Sequence, residues 1–216
     1  MRLFLMFSGF FLMGLSISCQ QIYFEAGKSI SAFDYTNSSG KSIDNLLSKS
    51  NTYMGIGYRD NLNNEQTLFL ALGMSYNDYG AIGSDPVLDN FFEWDVSYLG
   101  IQTGLDFRLF RLRDFSFYII GRITFEHLIR GTQTTNNQVF DLVKENEFNN
   151  DIFFVKGGIG MQYPISRNTA IFANYFYGKT VLIDQSKSLD QETLKLINHQ
   201  LGIGLIINLP NCNCSL

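Results

Sequence analysis

The sequence predicts an all-β protein: a single antiparallel, up-and-down transmembrane β-barrel of about eight strands, preceded by a signal peptide. Three observations carry that expectation. Runs with a period of two recur along the chain, most plainly at Thr67–Tyr79, where Leu68, Leu70, Leu72 and Met74 alternate with Phe69, Ala71, Gly73 and Ser75. The connections between such runs alternate in length, short then long. The opening residues have the order of a secretory leader, and no later stretch approaches the roughly 18 consecutive apolar residues of a spanning helix, so any membrane crossing falls to strands.

In the leader, Met1-Arg2 is a short positive start, Leu3 to Leu15 is apolar, and Ser16-Ile17-Ser18-Cys19 is a small-residue exit. This divides the chain into a signal peptide (1–19), a barrel (20–209) and a C-terminal tail (210–216). Cys19 has small neighbours, as an acylated cysteine would, but Ser16 stands where such sites usually carry Leu, so simple cleavage is the expectation. Cys212 and Cys214 are read as part of an exposed tail in an oxidising compartment, because two thiols without further ligands make a weak metal site. No cofactor or metal site is expected. The composition, with 20 Phe, 11 Tyr, 19 Gly and only 3 Pro, favours strands, and a net charge of −4 supplies no basic footprint for nucleic acid.

Taken in order, the first strand is Ile22–Tyr35, followed by a polar connection to Ser50. The second, Thr52–Arg59, closes through a short turn at Asp60–Glu65 into the third, Thr67–Tyr79. A longer stretch with Gly83 and Pro86 leads to the fourth, Trp94–Phe110, and Arg111–Asp114 turns tightly into the fifth, Phe115–Leu128. The longest connection, Ile129–Asp151, precedes the sixth strand, Ile152–Tyr163. Pro164–Asn168 turns into the seventh, Thr169–Leu182, and Ile183–Asn198 leads to the eighth, His199–Leu209. Three short turns then share one end with both termini, and four long loops share the other.

Parity assigns the faces. Leu70, Ile101, Leu105, Ile119, Ile123, Val155, Ile159, Ile171, Leu201 and Ile203 fall outward; Gly55, Gly57, Gly73, Ser75, Gly104, Tyr118, Gly158, Asn174 and Gln200 fall inward. Inverting the faces would place several charges in lipid at about 2–4 kcal/mol each near the midplane, and would crowd Leu and Phe into a narrow lumen. A soluble, lipocalin-like barrel would take that inverse, but the inward charges and paired glycines oppose it. In the first strand Glu25 and Lys28 have opposite parity, so either a bulge at Gly27 resets the register or Lys28 snorkels near the rim.

The constellation expected in the lumen is Glu25, Arg59, Asp106, Arg108, Arg122, Glu126 and Lys156, near enough to charge balance for mutual pairing to plug the interior. A narrow conduit for ions or small solutes is the alternative. Tyr35, Tyr76, Tyr79, Trp94, Tyr98, Tyr163, Tyr175 and Tyr177 cluster near strand ends and read as an interfacial aromatic girdle. His127 and His199 are the only histidines; a lipid-modifying enzyme could use one as a base, but they lie on strands about three spacings apart with no nearby serine on the same strand. No catalytic residue is assigned. Within the 129–151 loop, Val139-Phe140-Asp141-Leu142-Val143 is apolar enough to extend the strands as a ribbon or to form a contact patch for a surface partner.

The leader, Gln20-Gln21-Ile22-Tyr23-Phe24-Glu25-Ala26-Gly27, Leu99-Gly100-Ile101-Gln102-Thr103-Gly104-Leu105-Asp106 and the final His199-Gln200-Leu201-Gly202-Ile203-Gly204-Leu205 resemble the small outer-membrane β-barrel proteins of the porin/opacity type. The resemblance implies the outer membrane of a Gram-negative-type bacterium, with loops extracellular and termini periplasmic. It also implies contact with outer-membrane lipid and with the barrel-assembly machinery during insertion. Members of that group usually end on an aromatic residue that closes the last strand, whereas here Ile207-Asn208-Leu209 and a cysteine-containing tail stand in its place.

Overall fold

A computed structural model describes residues 19–36, 46–85, 90–136, 138–144, 151–181 and 193–210. The leader up to residue 18, the tail from 211 and the side chain of Tyr35 lie outside the described residues. Nine strands are described: β1 (Gln20–Thr36), β2 (Leu47–Asn61), β3 (Leu68–Asp85), β4 (Asn90–Leu112), β5 (Phe115–Thr135), β6 (Gln138–Asp141), β7 (Ile152–Pro164), β8 (Thr169–Val181) and β9 (Thr193–Asn208). All except β6 form one antiparallel ring in chain order, closed by the β1–β9 ladder; β6 folds back on β5 outside the ring. The fold is a closed up-and-down barrel of eight strands. Following the register from Lys28 through Leu201, Tyr175, Ile159, Ile119 and Phe107 to Leu68 leads progressively toward the turn end, so the strands are tilted against the barrel axis.

The short turns fall where the sequence places them. Between β2 and β3 the Asn63 carboxamide oxygen accepts from the backbone N–H groups of Thr67 and Leu68 at 2.9 and 3.0 Å. Arg113 takes a positive φ of 55° in the two-residue turn joining β4 and β5. At this same end Leu209 N–H donates to the Gln20 carbonyl at 2.9 Å, which brings the start of β1 and the end of β9 together.

The outer wall is apolar around the ring: Ile203 is 71% exposed, Ile101 65% and Leu201 64%, with Leu105, Ile119, Ile123, Val155 and Ile171 also open. β1 runs without a register shift against both neighbours, so no bulge forms at Gly27; Glu25 points inward and Lys28 outward. Inside, Gly57 and Gly73 pair across β2 and β3, and a Cβ on either would come within 2.4 Å of the Tyr23 hydroxyl. The two glycines are what admit that phenol to the narrow lumen.

The strands extend further on the loop side than the sequence predicts: β2 begins at Leu47, β5 reaches Thr135 and β9 begins at Thr193. In this upper tier the pattern reverses. Inward positions carry Phe33, Tyr79, Ala81, Val96, Tyr98, Leu128, Phe154 and Leu196, all buried in one cluster, while outward positions carry Asp78, Asp95 and Ser97. The β5–β6 ribbon and the 3-10 turn Leu142–Lys144 fold back onto this end, and Leu142 joins the cluster at 2% exposure. A wall with polar side chains outward and apolar ones inward is the arrangement that water favours.

Candidate functional site

The inward side chains of the barrel form a polar column beneath the apolar cap, in three layers. At the turn end Arg59 Nε faces Asp106 Oδ2 at 2.9 Å, and Arg122 pairs with the other oxygen of the same carboxylate. The Arg59 guanidinium lies over Phe69 and Tyr118, 4.0 and 4.7 Å from the ring centroids, which holds it flat while it bonds Gln162 at 3.3 Å. Gln21 closes this layer by donating to Asn208 at 2.9 Å.

In the middle layer Glu25 accepts from the Tyr53 hydroxyl at 2.9 Å and from Asn174 at 3.3 Å, and Gln102 donates to the Tyr23 oxygen at 2.9 Å. In the upper layer Glu126 is fully buried. Its carboxylate accepts from the Tyr79 hydroxyl at 2.9 Å, from Asn77 at 3.0 Å and from Lys156 at 3.3 Å, while Gln200 donates to Asn77 at 3.0 Å. Arg59, Arg122 and Lys156 therefore stand against Glu25, Asp106 and Glu126, so the column is balanced in formal charge.

The column leaves little space. The cavity it encloses measures about 40 Å³ and is lined by Tyr23, Glu25, Arg59, Arg122 and Asn174 among others. That is room for a few waters at most. Arg59 Nη2 is buried with no hydrogen-bond partner among the described residues, a donor such a water would satisfy.

The structure thus brings six of the seven expected lumen residues together: Glu25, Arg59, Asp106, Arg122, Glu126 and Lys156. Arg108 is placed elsewhere. The register shifts between Arg108 and Phe110, and the guanidinium bonds the Glu65 carbonyl at 3.1 Å at the exposed turn end. Of the expected girdle, Tyr76, Tyr163, Tyr175 and Tyr177 face outward. Tyr79 and Tyr98 do not: they are 0% and 3% exposed inside the barrel, with ring centroids 5.8 Å apart, and Trp94 packs against the same inner cluster. Their parity matches that of the lumen residues, and the reversal of environment above the apolar belt is the reason the wrong side was expected. Tyr23, Tyr53, Asn77 and Gln102 contribute to the column without having been singled out; the parity that Tyr23 shares with Glu25, Tyr53 with Gly55, Asn77 with Ser75 and Gln102 with Gly104 was the available signal.

His127 and His199 are on separate strands, as expected. His127 Nδ1 lies 2.7 Å from Asp151 on the outer surface, and His199 Nδ1 lies 2.8 Å from the Tyr175 hydroxyl. Neither imidazole contacts a serine, threonine or cysteine among the described residues. Cys19 packs with Phe69, Tyr118, Ile120 and Phe176 inside the turn end and is disulfide-bonded.

No protein family matches the chain, and no curated protein does. Solved structures do. A major outer-membrane protein from Thermus thermophilus aligns with a TM-score of 0.51 at 10% identity over 85% of this chain and 99% of that one. OprG, an outer-membrane protein of Pseudomonas aeruginosa, aligns at 0.50 and 11% identity over 89% and 98%. Neisserial surface protein A aligns at 0.48 and 14% identity over 87% and 97%.

Proposed function

Starting from a closed barrel whose fold is that of solved outer-membrane proteins, we propose that this chain is an integral outer-membrane barrel of structural or surface-interaction type with an occluded lumen. The belt of Leu, Ile and Phe around the wall supports insertion in a bilayer, with the turns and termini periplasmic and the loops outside. The β5–β6 ribbon presents Val139 at 67% and Phe140 at 49% exposure on the loop side, and is the element offered to a surface partner.

The observation that carries the occluded reading is the continuity of the plug. Ion-paired layers fill the lower lumen, and Tyr79, Phe154 and Leu196 seal the upper part with essentially no solvent exposure. Beneath the cap the lumen leaves only about 40 Å³ among the described residues, which supports occlusion to a hydrated ion. Planar-bilayer recording tests this directly: the purified barrel is expected to insert without ohmic steps. Regular conductance steps whose ion selectivity changes with Arg122→Gln would establish a pore and overturn the reading.

A further inference from the structure

The outer wall is not uniformly bulky. Across β1, β9 and β8 the register aligns Ala26, Ile203 and Ala173, and the two alanines leave troughs on either side of the isoleucine. Phe24, Leu205 and Ile171 form the next row toward the turn end. Phe115, its ring centroid 4.9 Å from that of Tyr163, closes the bottom. The resulting depression has a volume of about 660 Å³ and an almost wholly apolar surface.

Its loop-side end differs in kind. Two residues further along each strand on the same face, roughly 7 Å away, stand Lys28 on β1 and Tyr175 on β8. Above them His199 on β9 lies between Ile30 and Tyr177, and Lys179 on β8 lies opposite Ile197. Lys28 and Lys179 have no carboxylate within ion-pairing distance among the described residues. The Tyr175 hydroxyl contacts His199 Nδ1 at 2.8 Å; when it donates there, the neutral ring carries its proton on Nε2. Two ammonium groups with no carboxylate partner among the described residues, and an imidazole donor, thus crown an apolar trough.

From this arrangement we infer that the β1–β9–β8 face is a binding site for one membrane lipid with an anionic phosphate headgroup. Lys28, His199 and Lys179 hold the phosphate, and an acyl chain lies in the trough over Ala26 and Ala173. The ammonium groups complement the phosphate at the depth where headgroups lie, and the alanines remove the side chains that would otherwise lift an acyl chain off the wall. A second copy of the chain is a poor occupant, because a two-fold contact on this face would set Lys28 and Lys179 of one barrel against those of the other in a medium that screens poorly.

The inference rests on the bilayer placement proposed above, and the test separates the two. The full barrel is reconstituted in vesicles of equimolar phosphatidylcholine and phosphatidylglycerol with the same acyl chains. Insertion is scored by vesicle flotation, and retained lipid is counted by native mass spectrometry after mild detergent extraction. The wild type is expected to retain one phosphatidylglycerol with a preference of roughly fivefold or more over phosphatidylcholine. Lys28→Gln/Lys179→Gln is expected to float and to lose that preference. Ala173→Phe, which fills the trough and leaves the headgroup cluster intact, is expected to float and retain neither lipid. Flotation without lipid retention, retention without headgroup preference, a dimer mass in place of the lipid adduct, or wild-type retention by Ala173→Phe would each overturn the lipid site while leaving the barrel in its membrane. Failure of the wild type to float would overturn both.

Discussion

Asp106→Asn is the sharpest test of the plugged lumen. The substitution keeps the shape of the side chain and removes its charge, leaving Arg59 and Arg122 side by side without their shared partner. The side chains of Asp106 and Arg59 are 7% and 4% exposed, so little water is available to take over. At an effective permittivity near 20, a unit pair about 4 Å apart is worth about 4 kcal/mol. Breaking a buried pair from one side costs about 3–5 kcal/mol in proteins generally. We therefore expect the variant to lose about 3–5 kcal/mol against urea in lipid vesicles. Trp94, the one tryptophan of the chain, reports the loss as its fluorescence shifts; its ring centroid is 5.7 Å from that of Phe92 in the upper tier, far from the substitution, so it follows the whole barrel. Adding Arg122→Gln should recover part of the loss, since it removes one of the stranded cations. A loss under about 1 kcal/mol, the scale of an exposed ion pair, or no recovery in the double variant would refute the plugged column.

Further expectations address the two tiers of the wall. Ile203→Arg, in the apolar belt, should cost about 2–4 kcal/mol in lipid, whereas Ser97→Arg, outward but above the belt, should change stability by no more than about 0.5 kcal/mol; urea titrations of both variants decide whether the belt ends between them. Leu142→Ala empties a buried position in the cap and should cost about 2–5 kcal/mol locally, seen as faster proteolysis of the 129–151 segment while the barrel itself resists. Lys49 lies above the belt, 2.7 Å from Glu93 and 2.5 Å from Asp95. Burial alone would lower its pKa, but bonds to Asp95 and Glu93 outweigh this and hold it above the ordinary value of 10.5. Since the folded pKa is the higher, the contribution of the pair, at most about 1 kcal/mol for so exposed a site, is complete below pH 10.5 and lost only as pH rises through the folded value. A Lys49→Met variant compared with the wild type from pH 7 to pH 11 is expected to show a constant gap that closes only at the alkaline end.

The barrel, its turns and most of its lumen charges were legible because an apolar outer wall imposes one rule over many residues. Leu70, Ile119 and Ile203 alternate with small or ionisable partners, and parity alone sorts Arg122 from Ile123. The upper tier was not legible for the same reason. Above the apolar belt the alternation persists but apolar side chains turn inward, and Tyr79, Trp94 and Tyr98 look like rim residues to any reading that assumes one pattern throughout. Strand extents suffered likewise: Thr193–Asn198 reads as a polar connection until Leu196 and Asn198 are seen buried at 2% and 1%. Arg108 keeps the inward parity, opposite Tyr118, but stands near the turn end of β4, where its guanidinium reaches the Glu65 carbonyl; parity sorts faces, not depth along the strand. The trough over Ala26 and Ala173 depends on which strands are neighbours, and β1 meets β9 only when the ring closes.

The backbone bond between Leu209 and Gln20 has a practical consequence. The two ends of the ring already meet at hydrogen-bonding distance on the turn side, so the finished wall is expected not to depend on the order in which its strands are translated. A circularly permuted gene, with these ends fused through a short hairpin and new ends opened in a loop-side connection, should yield the same cylinder. It would also move the last-made strand to a chosen place in the circumference, so the site at which insertion finishes could be varied independently of the architecture it produces.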